Sequence, residues 1–152
     1  MDITYLDNLD TIEAESLQGF FAGWPNPPDS QRHLEILQAS YQVWLAMDGE
    51  KCVGFINAIS DGILHAYIPL LEVLPAYQGL GIGTELLRRM EHSLRRVYAI
   101  DLVCDEHLAE FYQQLGFTKI IGMAKRNHEY QDGSGRDENH AGSGASPSTR
   151  SN

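Results

Sequence analysis

The chain is poor in cysteine, in basic residues and in long apolar runs, and each shortage excludes something. Cys52 and Cys104 are its two cysteines. Neither sits at metal-ligand spacing, so both read as reduced core residues and no metal is expected. Lysine and arginine number 11 against 21 aspartates and glutamates, a formal net charge of −10. That balance argues against a nucleic-acid partner, which needs a basic footprint. It suits a cationic substrate such as an amine, or simple solubility. No apolar run reaches the length of a membrane span, and no basic-then-apolar segment opens the chain. A cytoplasmic protein with no membrane partner is the expectation. At 152 residues, 43% of them hydrophobic, one domain with a real core is expected.

What is present is concentrated in Val73-Leu74-Pro75-Ala76-Tyr77-Gln78-Gly79-Leu80-Gly81-Ile82-Gly83-Thr84. A β-rich run, Ile63 to Val73, precedes it. A helical stripe of Leu86, Leu87, Met90, Leu94 and Val97 follows. A strand therefore ends, a glycine turn follows, and a helix begins. Three glycines within five residues leave backbone N–H groups unshielded where the helix dipole is positive. Such a place suits a phosphate or pyrophosphate. A P-loop is excluded, because no lysine follows Gly83. A dinucleotide loop fails at Thr84, where its third glycine would fall. The pattern that remains is Gln78-x-x-Gly81-x-Gly83, directly after a strand that ends in Val-x-Pro.

The rest of the chain is read in order. Ile3 and Tyr5 mark a short strand, and Asp10 followed by Glu13 reads as a helix start. Ile12, Leu17, Phe20 and Phe21 give that helix an apolar side. Gly23-Trp24-Pro25-Asn26-Pro27-Pro28 must be a loop. Asp29 or Ser30 caps a second helix, which runs to about Ser40. Strands follow at Gln42–Met47, Cys52–Ile59 and Ile63–Val73, with Asp48-Gly49 and Asp61-Gly62 as hairpin turns. Pro69 falls inside the third and marks a bulge or a departing neighbour. After the glycine loop and its helix, Tyr98–Cys104 reads as a strand parallel to the one before the loop. A short helix ends at Gly116, and Phe117–Ile121 reads as a last strand. Residues 1–130 form the domain, and 131–152, dominated by Gly, Ser, Asn and Asp, read as a disordered tail.

Two motifs, in this order, carry a resemblance. Gln78-x-x-Gly81-x-Gly83 resembles the acyl-CoA pyrophosphate loop of the GNAT family of N-acetyltransferases. Phe111-Tyr112-Gln113-Gln114-Leu115-Gly116-Phe117 resembles that family's C-terminal motif, aromatic-Tyr-x-x-x-Gly-Phe. The resemblance covers residues 1–121. The Trp24-Pro25 segment with its following helix is also similar to a subgroup containing plant plastid serotonin acetyltransferases and small bacterial proteins. The fold implied is α/β (α+β). It has a mixed central sheet of about six to seven strands, splayed between the fourth and fifth, with about four helices around it. A further strand usual in the family is poorly supported at Gly122–Tyr130.

The resemblance implies acetyl transfer from acetyl-CoA to an amine, without a metal. Val73, Leu74, Gln78, Gly79, Leu80, Gly81, Ile82, Gly83 and Thr84 would bind the cofactor, with a backbone N–H near Val73 facing the thioester oxygen. Tyr112 would protonate the leaving thiolate. For the base, Glu72 is chosen over His65, Tyr67 and Asp61. The family often has a carboxylate or histidine near the position of Tyr67, so Tyr67 is a departure. Asp105 or Glu106 stands where the family often has an asparagine touching pantetheine. Cys104 could serve a two-step route, though a small strand residue is the plainer reading. Trp24 would wall the acceptor site, and the acceptor would be a small-molecule amine. Two alternatives stay open: a catalytically inactive acyl-CoA-binding module, and acetylation of a protein lysine or N-terminus. A homodimer is also open.

Overall fold

Alternating apolar residues from Gln42 to Val73, broken by two Asp-Gly pairs, fold as three consecutive antiparallel strands. The computed structural model, which describes residues 1–137, places them as β2 (Gln42–Asp48), β3 (Lys51–Ser60) and β4 (His65–Val73). Gly49 and Gly62 make the tight turns with φ of 61° and 73°. Strand β1 (Ile3–Leu6) pairs antiparallel with β2, and β5 (Ala99–Leu102) pairs parallel with β4. The sheet order is β1-β2-β3-β4-β5, with one parallel junction.

Helix α1 (Ser30–Gln38) covers one face and α2 (Ile82–Ser93) the other. The Asp29 carboxylate caps α1 by accepting the Arg32 N–H at 2.7 Å, worth about 1 kcal/mol. Strand β3 is buried on both faces from Cys52 to Ala58, as a central strand between two layers must be. Phe55 faces the α1 side, 4.3 Å from the ring of His33. Gly54 faces α2, where a Cβ would lie 3.1 Å from Leu86 and 3.2 Å from Ile82. This close approach seats the helix that carries the glycine loop. Leu86, Leu87 and Met90 are fully buried on its inner stripe. A short helix, α3 (Ala109–Gln114), follows β5.

Two expectations change. The helix expected from Asp10 is a single 3₁₀ turn, Ala14–Leu17. The chain turns sharply at Gly19, Phe21 and Gly23, with φ of 97°, 63° and 81°. Leu17, Phe20 and Phe21 are buried all the same, from that turn and the loop after it. The strand expected at Phe117–Ile121 does not form, so the sheet has five strands among the described residues rather than about six to seven. Gly116, at φ 95°, turns the Phe117 N–H back onto the Tyr112 carbonyl at 3.1 Å. The chain then leaves the sheet. Of the expected tail, residues 131–137 are described: Gln131 accepts the Asn26 N–H at 2.9 Å, and Asp137 bridges Arg32 at 2.7 Å. The remainder of that expectation, 138–152, lies outside the described residues.

His33 is 1% exposed, ringed edge-on by Phe20, Phe21 and Phe55, and neither ring nitrogen has a partner among the described residues. Burial lowers its pKa from 6.5 to about 4. The unfolded chain therefore binds a proton near pH 6.5 that the folded chain refuses until about pH 4. Stability is expected to fall as pH drops through that window, by about 2 kcal/mol between pH 7 and pH 5. Urea unfolding at both values checks this, and His33→Leu should flatten that part of the profile.

Candidate active site

The site begins where β4 and β5 part. Their pairing runs from His65 with Ala99 to Ile68 with Leu102, and β4 then continues to Val73 on β3 alone. Pro69 is the first residue past the junction. It also lies in a bulge: Asn57 pairs with Leu70, but Ile59 pairs with Tyr67. The extra residue flips the alternation, so Tyr67, Leu70 and Glu72 all share the α1 face with Phe55 and Asn57.

Past the splay, β4 presents free backbone. The Leu74 N–H donates to the Val53 carbonyl at 2.8 Å. Alternation along an antiparallel ladder then turns the N–H and C=O of Val73 away from β3, toward the gap. The Val73 carbonyl is taken by the Gln78 side-chain amide at 3.0 Å. Its N–H is left facing the opening.

Gln78 thus closes the turn that leads into α2. Gly79 and Gly81 have φ of 76° and 82°, and a Cβ on either would have no heavy atom within 4 Å. The first helical bond is from the Glu85 N–H to the Gly81 carbonyl at 3.0 Å. No side chain caps α2, and its first-turn N–H groups, at Ile82, Gly83 and Thr84, have no acceptor among the described residues. An open glycine cradle with unpaired donors at a helix N-terminus fits a pyrophosphate. Leu80 is exposed at the rim, and Leu74 and Ile82 are buried beneath.

Helix α3 stands beside this loop. A Cβ on Gly83 would lie 3.8 Å from Val73 and 4.0 Å from the Phe111 ring. The Tyr112 ring is edge-on to Phe111 at 4.9 Å and to Phe117 at 5.8 Å. Its hydroxyl has no partner among the described residues. Burial, then the neighbouring Cys104, push the phenol up to about 12. A cavity of about 460 Å³ touches Tyr112, Cys104 and Tyr67 and follows the open edge of β5.

The loop between β1 and α1 reaches the splay from the α1 face. Both oxygens of Glu72 hold it: the Phe21 N–H donates at 2.8 Å and the Ala22 N–H at 3.1 Å. Phe21 is the one non-glycine with positive φ among the described residues, a conformation that needs outside support. Trp24 follows, 39% exposed, with its ring 5.0 Å from that of Phe21.

The family model for the acetyltransferase (GNAT) family matches residues 9–117. The chain belongs to the GNAT family. A proposed acetyltransferase from Deinococcus radiodurans R1 has a crystal structure 40% identical to it, at TM-score 0.85, covering 86% of this chain and 92% of that one. Serotonin N-acetyltransferase 2, chloroplastic, of Oryza sativa subsp. japonica is 31% identical over 74% of this chain and 62% of its own length. The uncharacterized N-acetyltransferase ycf52 of Porphyra purpurea is 28% identical over 76% of this chain and 70% of its own.

As a GNAT member the protein is an acetyl-CoA-dependent N-acetyltransferase. Its sequence-predicted residues fall in three places. The stretch from Val73 to Thr84 and Tyr112 gather around the splay. Glu72 and Trp24 both touch the Phe21 turn on the α1 side of it, Glu72 through the backbone N–H groups and Trp24 through the Phe21 ring. Of the other base candidates, Tyr67 lines the cavity beside Tyr112, and His65 and Asp61 lie elsewhere. His65 pairs with Ala99 at the far end of β4. The Asp61 carboxylate is used in its own turn, accepting the N–H groups of Ile63 and Leu64 at 2.8 Å each. The Glu72 clamp escapes sequence reading because its partners are distant in the chain. The sequence reading put Phe21 on the apolar side of a helix, where no such turn is expected.

Proposed function

We propose that the protein transfers acetyl from acetyl-CoA directly to the primary amine of a small molecule, and that the Trp24 loop forms the acceptor wall. One observation supports this most: the Glu72 clamp fixes that loop against the part of β4 that faces the splay. A stiff wall of indole and prolines suits an apolar or aromatic amine. The rice relative carries serotonin in its name, and an amine of that kind fits such a wall.

The reaction asks three things of the chain. The amine nitrogen bonds to the carbonyl carbon, the carbon–sulfur bond breaks, and the amine gives up a proton. In this reading the Val73 N–H, turned away from β3, stabilises the oxyanion. The hydroxyl of Tyr112, a residue that lines the cavity, donates to the departing sulfur in this reading. At about 12 the phenol lies well above an ordinary thiol near 8.5. Its part is a hydrogen bond to the developing thiolate more than a completed proton loss. Glu72 takes the amine proton: each of its oxygens accepts one N–H and keeps a further lone pair. A reducing compartment suits the two free cysteines, Cys52 and Cys104, and the cytoplasm is the proposed location.

Trp24→Ala is the test. An aromatic face of this size contributes about 1.5–3 kcal/mol when buried by a ligand, so the amine KM is expected to rise about tenfold or more. Acetyl-CoA affinity should stay unchanged. An unchanged KM across a panel of small amines, with turnover on lysine peptides instead, would sink the small-acceptor reading.

A further inference from the structure

We propose that residues 128–137 form a strap that positions the acceptor wall, with Gln131 as the positioning residue, a role that rests on the reading of Trp24 as that wall. Glu72 holds one end of the Trp24 loop, at the Phe21 and Ala22 N–H groups. The other end is held from far along the chain: the Asn26 N–H donates to Gln131 Oε1 at 2.9 Å. Trp24 stands between the two anchors. Sequence dictates where the second anchor can fall. The Trp24 N–H is spent on the Phe21 carbonyl at 3.1 Å, and Pro25, Pro27 and Pro28 have no N–H to give. Asn26 is therefore the one residue from Trp24 to Pro28 whose N–H is open to an outside acceptor.

The strap is built to hold that oxygen in place. Residues 121–129 are exposed, whereas 130–135 are half-buried. There the chain folds on itself. The Gln131 N–H donates to the His128 carbonyl at 3.3 Å and the Gly133 N–H to the Tyr130 carbonyl at 3.0 Å. The Asp132 carboxylate accepts the Ser134 N–H at 2.9 Å. Gly133, at φ 80°, lies directly on the Arg32 stem, where a Cβ would come to 3.0 Å from both Cγ and Cδ. Arg32 is itself fixed, by Glu35 at 2.6 Å and by both oxygens of Asp137 at 2.7 Å. An exposed ion pair alone would hold the strap weakly; the glycine contact and the Gln131 bond add to it. No residue of the strap lines the cavity beside Tyr112. The strap therefore acts on the reaction only through the loop it holds.

The test uses point variants of the full chain. In Gln131→Ala the Asn26 N–H should exchange with solvent about tenfold faster. The KM for the amine that the wild type turns over fastest should rise about three- to tenfold, the worth of one neutral hydrogen bond. Turnover at saturating amine and acetyl-CoA affinity should not move. Gln131→Glu keeps the accepting oxygen and should restore both the KM and the slow exchange. Trp24→Ala/Gln131→Ala should have no higher KM than Trp24→Ala, because the strap has then lost the group it positions. Circular dichroism reports whether each variant stays folded. Should Gln131→Ala unfold, Gly133→Ala, which pushes the strap off Arg32, reads the same contact by the same KM rise. A raised KM in Trp24→Ala with a wild-type KM in the strap variants overturns the strap and leaves the wall standing. A wild-type KM in all of them overturns both. Additive effects in the double variant, or a rise that Gln131→Glu does not reverse, also overturn the strap.

Discussion

Tyr112→Phe is expected to lower kcat about 10²–10³-fold, the usual cost of removing one donor from a developing anion. The substitution keeps the ring, so the edge-on contacts with Phe111 and Phe117 survive and stability should barely change. Acetyl-CoA affinity should hold as well, because the loop that binds it is untouched. The pH profile adds a second reading. With its pKa pushed up to about 12, the phenol keeps its proton where an ordinary tyrosine near 10 loses it. Activity that depends on it should therefore persist into alkaline solution, falling only as pH approaches 12. Pre-steady-state rates with a good amine check both points. Near wild-type kcat in the variant would make Tyr112 a packing residue.

Gly81→Val is expected to abolish acetyl-CoA binding, and its effect has two sources. At φ 82° the backbone occupies a region that a β-branched residue adopts only under strain. The Cβ itself would meet no protein atom within 4 Å; it would project into the space a pyrophosphate needs. Gly83 provides the contrast. It has ordinary helical φ, and its Cβ would make only normal contacts with Val73 and Phe111. Gly83→Ala should therefore keep its fold and lose less affinity than Gly81→Val. Calorimetry with acetyl-CoA separates the two. Equal affinity in Gly81→Val and wild type would remove the loop from the binding site.

How much of this was legible in the chain depends on how local the physics is. The glycine loop was readable because the need for positive φ at Gly79 and Gly81 is met within a few residues. Tyr112 was readable for the same reason, since its setting is one helix and the Gly116 turn after it. The splay was readable at Pro69, which cannot donate to a ladder and does stand at the junction. Pro69 also announced a bulge, but which side chains of β4 then share the α1 face is set by the pairing of β4 with β3, which is not local. Glu72 was picked as a carboxylate near the splay, but its hold on Phe21 and Ala22 joins segments some fifty residues apart. His33 gave no sign of its burial, because three phenylalanines from a loop and a strand converge on it. Phe117–Ile121 was misread for the opposite reason. Its local pattern is that of a strand, and what it lacks is a paired neighbour among the described residues.

The central claim is that the splay between β4 and β5, with the glycine loop on one side and Tyr112 beside it, is an acetyl-transfer site. Release of free thiol from acetyl-CoA, followed against a panel of primary amines, tests it most directly. The account predicts a rate that needs both acetyl-CoA and an amine, with an N-acetylated amine as product. It predicts sequential kinetics, since no acetyl group rests on Cys104, and loss of the rate in Gly81→Val and Tyr112→Phe. Thiol release that no amine accelerates, or that persists undiminished in both variants, would contradict it.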